Sequence, residues 1–106
     1  MANYSAWRSY TLADVKVNAP QTAGVYLIRC HVKNSEPEVR YVGQASDLRS
    51  RLLDHLGSGE TNDCLVEHRK HTQDYCWIEL SRQSERDTEE SSKIKKYQPL
   101  CNTQGK

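Results

Sequence analysis

No stretch of this chain approaches the roughly 20 consecutive apolar residues of a membrane-spanning helix, so none is expected. The opening Met1-Ala2-Asn3-Tyr4-Ser5-Ala6-Trp7-Arg8 has no apolar core of the kind a secretory leader carries, which argues for a cytoplasmic protein. An excess of either charge is also missing. Fifteen Lys and Arg against fourteen Asp and Glu leave a formal charge of +1. That balance lacks the basic stripe of a general nucleic-acid binder, so any phosphate-binding surface must be local, with the acidic side chains placed elsewhere. Repeats and low-complexity segments are absent. Four cysteines could make two disulfides, but nothing marks a secreted chain, and thiols are expected.

What is present bounds one domain. At 106 residues the chain can bury a single core, and 36% hydrophobic with 27% charged residues describes a polar surface around it. Residues 1–22 read as a lead-in, in which Trp7, Tyr10 and Leu12 are apolar enough to dock and Thr11 can cap a short helix through Val17. Pro20 ends that helix. Val25-Tyr26-Leu27-Ile28 is a continuous run of β-formers suited to a strand covered on both faces. After the turn residues Lys33 to Pro37, Val39 to Val42 reads as the returning strand of a hairpin.

Ser46 is a good N-cap, with Asp47 in the first turn, and Leu48, Leu52, Leu53 and Leu56 form an apolar stripe that Gly57 ends. A second helix is expected from Asn62 to Lys70. Tyr75 to Leu80 reads as a third strand, with Cys76, Ile78 and Leu80 on one face and Tyr75, Trp77 and Glu79 on the other. Ser84 can cap a last helix from Glu85 to Tyr97, which Pro99 ends.

That last helix is almost wholly polar. At about 100° per residue, Glu90 shares a face with Ile94 and Tyr97, so a carboxylate is aimed inward beside two apolar anchors. Desolvating a lone carboxylate is costly, and one so aimed suggests a cation, a metal or a solvated pocket. The same arithmetic puts Arg51 and His55 together at i and i+4 beside the Leu48/Leu52 stripe.

The ordered set Gly24-Val25-Tyr26, Tyr41-Val42-Gly43, Arg51, Glu90 and Tyr97-Gln98-Pro99-Leu100-Cys101-Asn102 resembles the GIY-YIG endonuclease family, most closely its excision-repair members. The resemblance covers roughly Thr22 to Asn102. It implies an α+β domain over residues 23–106, with a small three-stranded antiparallel sheet flanked by helices. It implies hydrolysis of DNA phosphodiester bonds with one Mg²⁺ or Mn²⁺ held by Glu90, and phosphate clamped by the planar, permanently charged guanidinium of Arg51. A tyrosine near its ordinary pKa of about 10 is a weak base at neutral pH and needs nearby positive charge. Tyr26 is favoured as that base, with Tyr41 holding water or phosphate, although the two roles could be exchanged. His55 could orient Tyr41 or shuttle a proton.

Arg40, Arg49, Gly43, Gln44 and Asn102 complete the expected substrate contacts. Repair-type members commonly carry a lysine where this chain has Gln44, which can hydrogen-bond a phosphate or water but offsets no charge. DNA is the expected partner, bound by a monomer or homodimer, with room for a larger partner that supplies specificity, and no membrane is involved. The alternative function is a GIY-YIG-fold DNA-binding or interaction module with weak or no catalysis.

Taken singly, each residue has a plainer reading. Tyr26 and Tyr41 are ordinary core strand tyrosines, Gly24 and Gly43 turn or bulge glycines, and Arg51 a solvated helix charge. Asp87 and Glu89 rival Glu90 for the metal, Asp87 through water. Cys64, His68, His71 and Cys76 are a candidate zinc set of unusual spacing, while Cys76 also alternates as a core residue. Tyr75 and Trp77 either stack on bases or pack on a helix.

Overall fold

A computed structural model of the chain describes residues 3–31, 36–57, 64–65 and 71–104, with residues 103 and 104 described by backbone only. Its elements are β1 (Arg8–Ser9), α1 (Leu12–Asn18), β2 (Gly24–His31), β3 (Glu38–Ala45), α2 (Leu48–Leu56), β4 (Thr72–Glu79), α3 (Gln83–Tyr97) and α4 (Leu100–Gln104). The expected α+β class is correct. The sheet has four strands rather than three, in the order β1-β4-β2-β3 with antiparallel pairing throughout. The extra strand, Arg8–Ser9, is too short and polar to announce itself; it forms because Tyr75 and Asp74 of β4 present a free edge for it.

β2 lies between β4 and β3, and it is apolar on both faces for that reason. On one face Tyr26 and Ile28 pack with Tyr75, Leu48, Leu52, Val15 and Tyr10, so α1 and α2 cover it. On the other, Val25 and Leu27 pack with Val42, Cys76, Ile78 and Ile94, and α3 covers it. The alternation expected for β4 is therefore real, with Tyr75 and Trp77 stacked at 5.6 Å between ring centroids as packing residues. Gly24 is neither turn nor bulge. A side chain there would collide with the Ile78 carbonyl and come within 2.9 Å of Leu48, so glycine lets the start of β2 close on β4 and α2.

Local signals shifted by a residue or two. Thr11 caps α1 through the Asp14 amide, as expected. Asp47, not Ser46, caps α2: its side chain accepts from the Ser50 amide. α3 starts at Gln83 after an N-cap, Arg82, that makes no side-chain cap bond, so Ser84 lies inside the helix. Leu12 is 52% exposed, and Tyr10 docks in its place with its hydroxyl donating to the Leu52 carbonyl at 2.6 Å. Tyr97 faces outward at 37% exposure, and Arg86 is the buried side chain of α3. The helix expected over 62–70 lies outside the described residues except for Cys64 and Leu65, which are helical and buried.

The cysteines are not all thiols. Cys64 and Cys101 form a disulfide, whereas Cys30 and Cys76 are free and buried, burial pushing the Cys76 thiol up to about 12. Bonded Cys64 is lost to the candidate zinc set, whose His68 lies outside the described residues. The bridge ties α4 to a segment 37 residues earlier, beside Asn102. Closing a loop of that length stabilises a fold by about 2–4 kcal/mol. Urea unfolding with and without a dithiol reductant is expected to show that difference, and coincident midpoints would refute the bridge.

Candidate active site

The hairpin register sets the site. Tyr26 pairs with Gly43 and Ile28 with Tyr41, so the two tyrosines lie diagonally on one face, with ring centroids 6.1 Å apart. A Cβ at Gly43 would overlap the ring and hydroxyl of Tyr26. The glycine of the second motif therefore lets the tyrosine of the first lie across β3.

The α2 stripe of Leu48 and Leu52 docks on this face and carries His55 inward, 2% exposed. Its Nε2 shares a 2.6 Å hydrogen bond with the hydroxyl of Tyr26, which is 1% exposed. Tyr41 stands edge-on to the same imidazole, centroids 5.2 Å apart at 70°, and is only half-buried. His55 thus touches both rings and shares a hydrogen bond with Tyr26. One turn earlier, Arg51 lies 4.0 Å from Asp54 and lines a cleft of about 290 Å³ with Ala45, Ser46 and Ser50, where β3 hands over to α2.

Gln44 follows Gly43 and so faces the opposite side, in register with Val25. Its amide nitrogen donates to Asp87 Oδ1 and Glu90 Oε1, both at 2.9 Å. Glu90 is thereby drawn toward β3, as its helical position predicted, with Asp87 beside it. The third candidate carboxylate, Glu89, is committed elsewhere: Tyr4 donates to it at 2.7 Å and Lys93 pairs with it at 2.9 Å. Burial alone would raise the Glu89 carboxyl, but Lys93 and Tyr4 together hold it below the usual range. The Gln44 and Gln83 amides hold the Asp87 carboxyl down in the same way.

Three expected substrate contacts have other partners. Asn102 is buried with its Nδ2 donating to the Val42 carbonyl and its Oδ1 accepting from the Val42 amide, both at 2.8 Å. It completes the outer edge of β3 as a missing strand would. Arg49 donates to the Ala19 carbonyl at 2.8 Å and braces the entry to β2. Arg40 falls in the bulge between the Ile28–Tyr41 and Arg29–Val39 pairs and forms an ion pair with Glu38 at 2.6 Å. Gln83 and Arg86 escaped the sequence reading. Gln83, Asp87, Glu90 and Ile94 fall at i, i+4, i+7 and i+11, a single helical stripe that would have exposed Gln83.

A hard divalent cation takes oxygen ligands, and magnesium is commonly held by one or two carboxylates together with substrate phosphates. The Glu90 and Asp87 pair offers that donor set. Among the described residues no group of three or more His, Cys, Asp or Glu forms a closed cage.

The structure thus sets a paired tyrosine and histidine, a second tyrosine and an arginine on one side of an edge strand, and carboxylates on the other. The family model for the GIY-YIG catalytic domain matches residues 22–104, and the chain belongs to that family. It is 37% identical over 86 residues to UvrABC system protein C of Chlamydia muridarum, covering 80% of this chain. The same protein of Chlamydia trachomatis serovar D is 36% identical over 94 residues, covering 88% of the chain. The chain spans about 14% of the length of these relatives.

Among solved structures, it resembles the N-terminal GIY-YIG endonuclease domain of UvrC from Thermotoga maritima bound to magnesium as its catalytic divalent cation. The TM-score is 0.65 at 23% identity, over 85% of this chain and 93% of that one. A tyrosine-to-phenylalanine mutant of that domain, also bound to its cation, matches with a TM-score of 0.65 at 23% identity, over 85% and 92%. The likeness shows a shared fold.

Asn102→Ala is expected to strand a buried amide and carbonyl of Val42 and cost about 2–4 kcal/mol in urea unfolding. Asn102→Asp, which keeps the acceptor and loses the donor, is expected to be no better. Wild-type stability in both variants would show that the clamp does not hold β3.

Proposed function

We propose that this chain is a metal-dependent endonuclease that hydrolyses DNA phosphodiester bonds, with Glu90 holding one Mg²⁺ or Mn²⁺. The observation that carries this reading is the 2.6 Å pairing of Tyr26 with His55 on one side of β3, set against the Glu90 carboxylate gathered by Gln44 on the other. It draws support from the solved UvrC domains, which carry a catalytic divalent cation, and from relatives that belong to the UvrABC system.

Hydrolysis needs a base for the attacking water, neutralisation of phosphate charge and help for the departing oxygen. Tyr26 serves as the base. As its oxygen takes a proton from water, its own proton passes to His55 Nε2, so a phenol that is a weak base alone acts as one half of a pair. Tyr41, the more exposed ring, holds the water or a phosphate oxygen. Arg51 binds the phosphate, its fixed charge growing in value as negative charge develops. A cation bound at Glu90, with Asp87 acting through water, would supply Lewis-acid stabilisation of the phosphate and leaving oxygen. Gly43 leaves space for Tyr26, and Arg49 and Asn102 hold the backbone that carries the site. A specificity partner, or a second copy on DNA, would supply the binding surface that a near-neutral chain lacks.

Cleavage of supercoiled plasmid with Mg²⁺ or Mn²⁺ tests this. Glu90→Ala and Arg51→Ala are each expected to lower the rate by about 10² or more, as loss of a transition-state charge partner does elsewhere. Equal activity in the wild type and both variants would sink the assignment of these residues. DNA retention without nicking, under every metal and substrate form, would favour a binding module instead.

A further inference from the structure

Glu90 is fixed by a chain of donors that begins in the protein interior. Arg86 is 8% exposed, and its Nη1 donates to the Leu80 and Ser81 carbonyls, each at 3.0 Å, where β4 ends. Its Nη2 donates to Gln83 Oε1 at 2.8 Å. Gln83 Nε2 donates onward to Gln44 Oε1 at 2.7 Å and to Asp87 Oδ1 at 2.8 Å. Gln44 Nε2 then reaches Asp87 and Glu90, both at 2.9 Å.

The direction of this chain is fixed by chemistry. A guanidinium can only donate and an ionised carboxylate can only accept. With Arg86 at one end and two carboxylates at the other, each glutamine has one workable orientation: carbonyl toward the arginine, amide nitrogen toward the acids. Turning either amide over would set an oxygen against an oxygen. Neither carboxamide carries charge, so the relay orients the acids without cancelling their negative charge.

We propose that Arg86, Gln83 and Gln44 act as a positioning relay that presents Glu90, with Asp87, to the divalent cation. This rests on the reading of Glu90 as the metal ligand. It assigns Gln44 a task other than substrate contact and gives α3 a purpose for its polar inner face. Magnesium demands near-ideal ligand geometry, and partners that orient a ligand are worth about 10–100-fold in metal affinity or activity.

Titration of the full chain with Mn²⁺ alone, followed by calorimetry or by the paramagnetic resonance of free Mn²⁺, separates this from a structural role. Gln44→Met and Gln83→Met, which keep side-chain length and lose the polar ends, are each expected to weaken Mn²⁺ binding about tenfold. Their thermal midpoints should stay near wild type. The double variant should fall short of the full product of the two losses, because Gln83 reaches Glu90 through Gln44 and touches only Asp87 directly. Gln44→Lys, which still donates to both acids but adds a positive charge, should also weaken binding. Either methionine variant binding Mn²⁺ within twofold of wild type, or a double variant showing the full product of the two losses, would overturn the relay. Glu90→Gln serves as the reference. Retained binding there would overturn Glu90 as ligand and the relay with it, whereas loss there with retention in both glutamine variants would overturn the relay alone.

Discussion

The ring of Tyr26 lies across β3 in the space where a residue other than glycine would place its Cβ, and both halves of the site depend on that close approach. It brings the Tyr26 hydroxyl to the sheet's edge strand, where His55 meets it from α2. It also fixes parity. With Gly43 under Tyr26, Tyr41 must share the tyrosine face and Gln44 must point to the opposite one, toward Asp87 and Glu90. A slip of one residue would exchange those faces and dismantle the site.

An edge strand is a weak place to build such a site, because one row of its backbone groups has no strand to pair with. Two devices secure β3. The Asn102 amide supplies Val42 with both a donor and an acceptor from α4, and the Cys64–Cys101 bridge tethers the residue beside it. On the inner side, Val42 packs with Val25 and Leu27 beneath Ile94. The site is therefore carried by a strand held through one buried side chain on its outer edge and by β2 on its inner one.

α3 shows how a polar helix can dock. Among the described residues Ile94 is the α3 side chain that joins the apolar layer under it, and polar contacts attach the rest: Tyr4 to Glu89, Gln44 to Asp87 and Glu90, and Arg86 to the end of β4. Such bonds are directional and weak one at a time, so they serve to orient more than to stabilise. In the proposed metal role, Glu90 gains more from orientation than from burial, since burial favours the neutral form of a carboxyl.

What the sequence determined by itself was whatever depends on local pattern. The unbroken run from Val25 to Ile28 specified a strand covered on both faces, the Leu48/Leu52 stripe specified the helix that buries His55 and carries Arg51 one turn before it, and the order of the motifs specified the family. The tertiary structure decided everything that depends on which backbone edge or side chain lies nearby. Arg8–Ser9 has no strand signal of its own and pairs because β4 has a free edge. Cysteine pairing cannot be deduced from spacing, and Cys64 meets Cys101 only once α4 returns to the hairpin. Asp47 and Ser46 are both good caps, and packing of the β3–α2 junction selects between them. Asn102 carries the family's asparagine, yet its work on Val42 shows only in the fold. The relay from Arg86 to Glu90 spans β4, α3 and β3, and no periodicity in one segment can encode a hydrogen bond made between three.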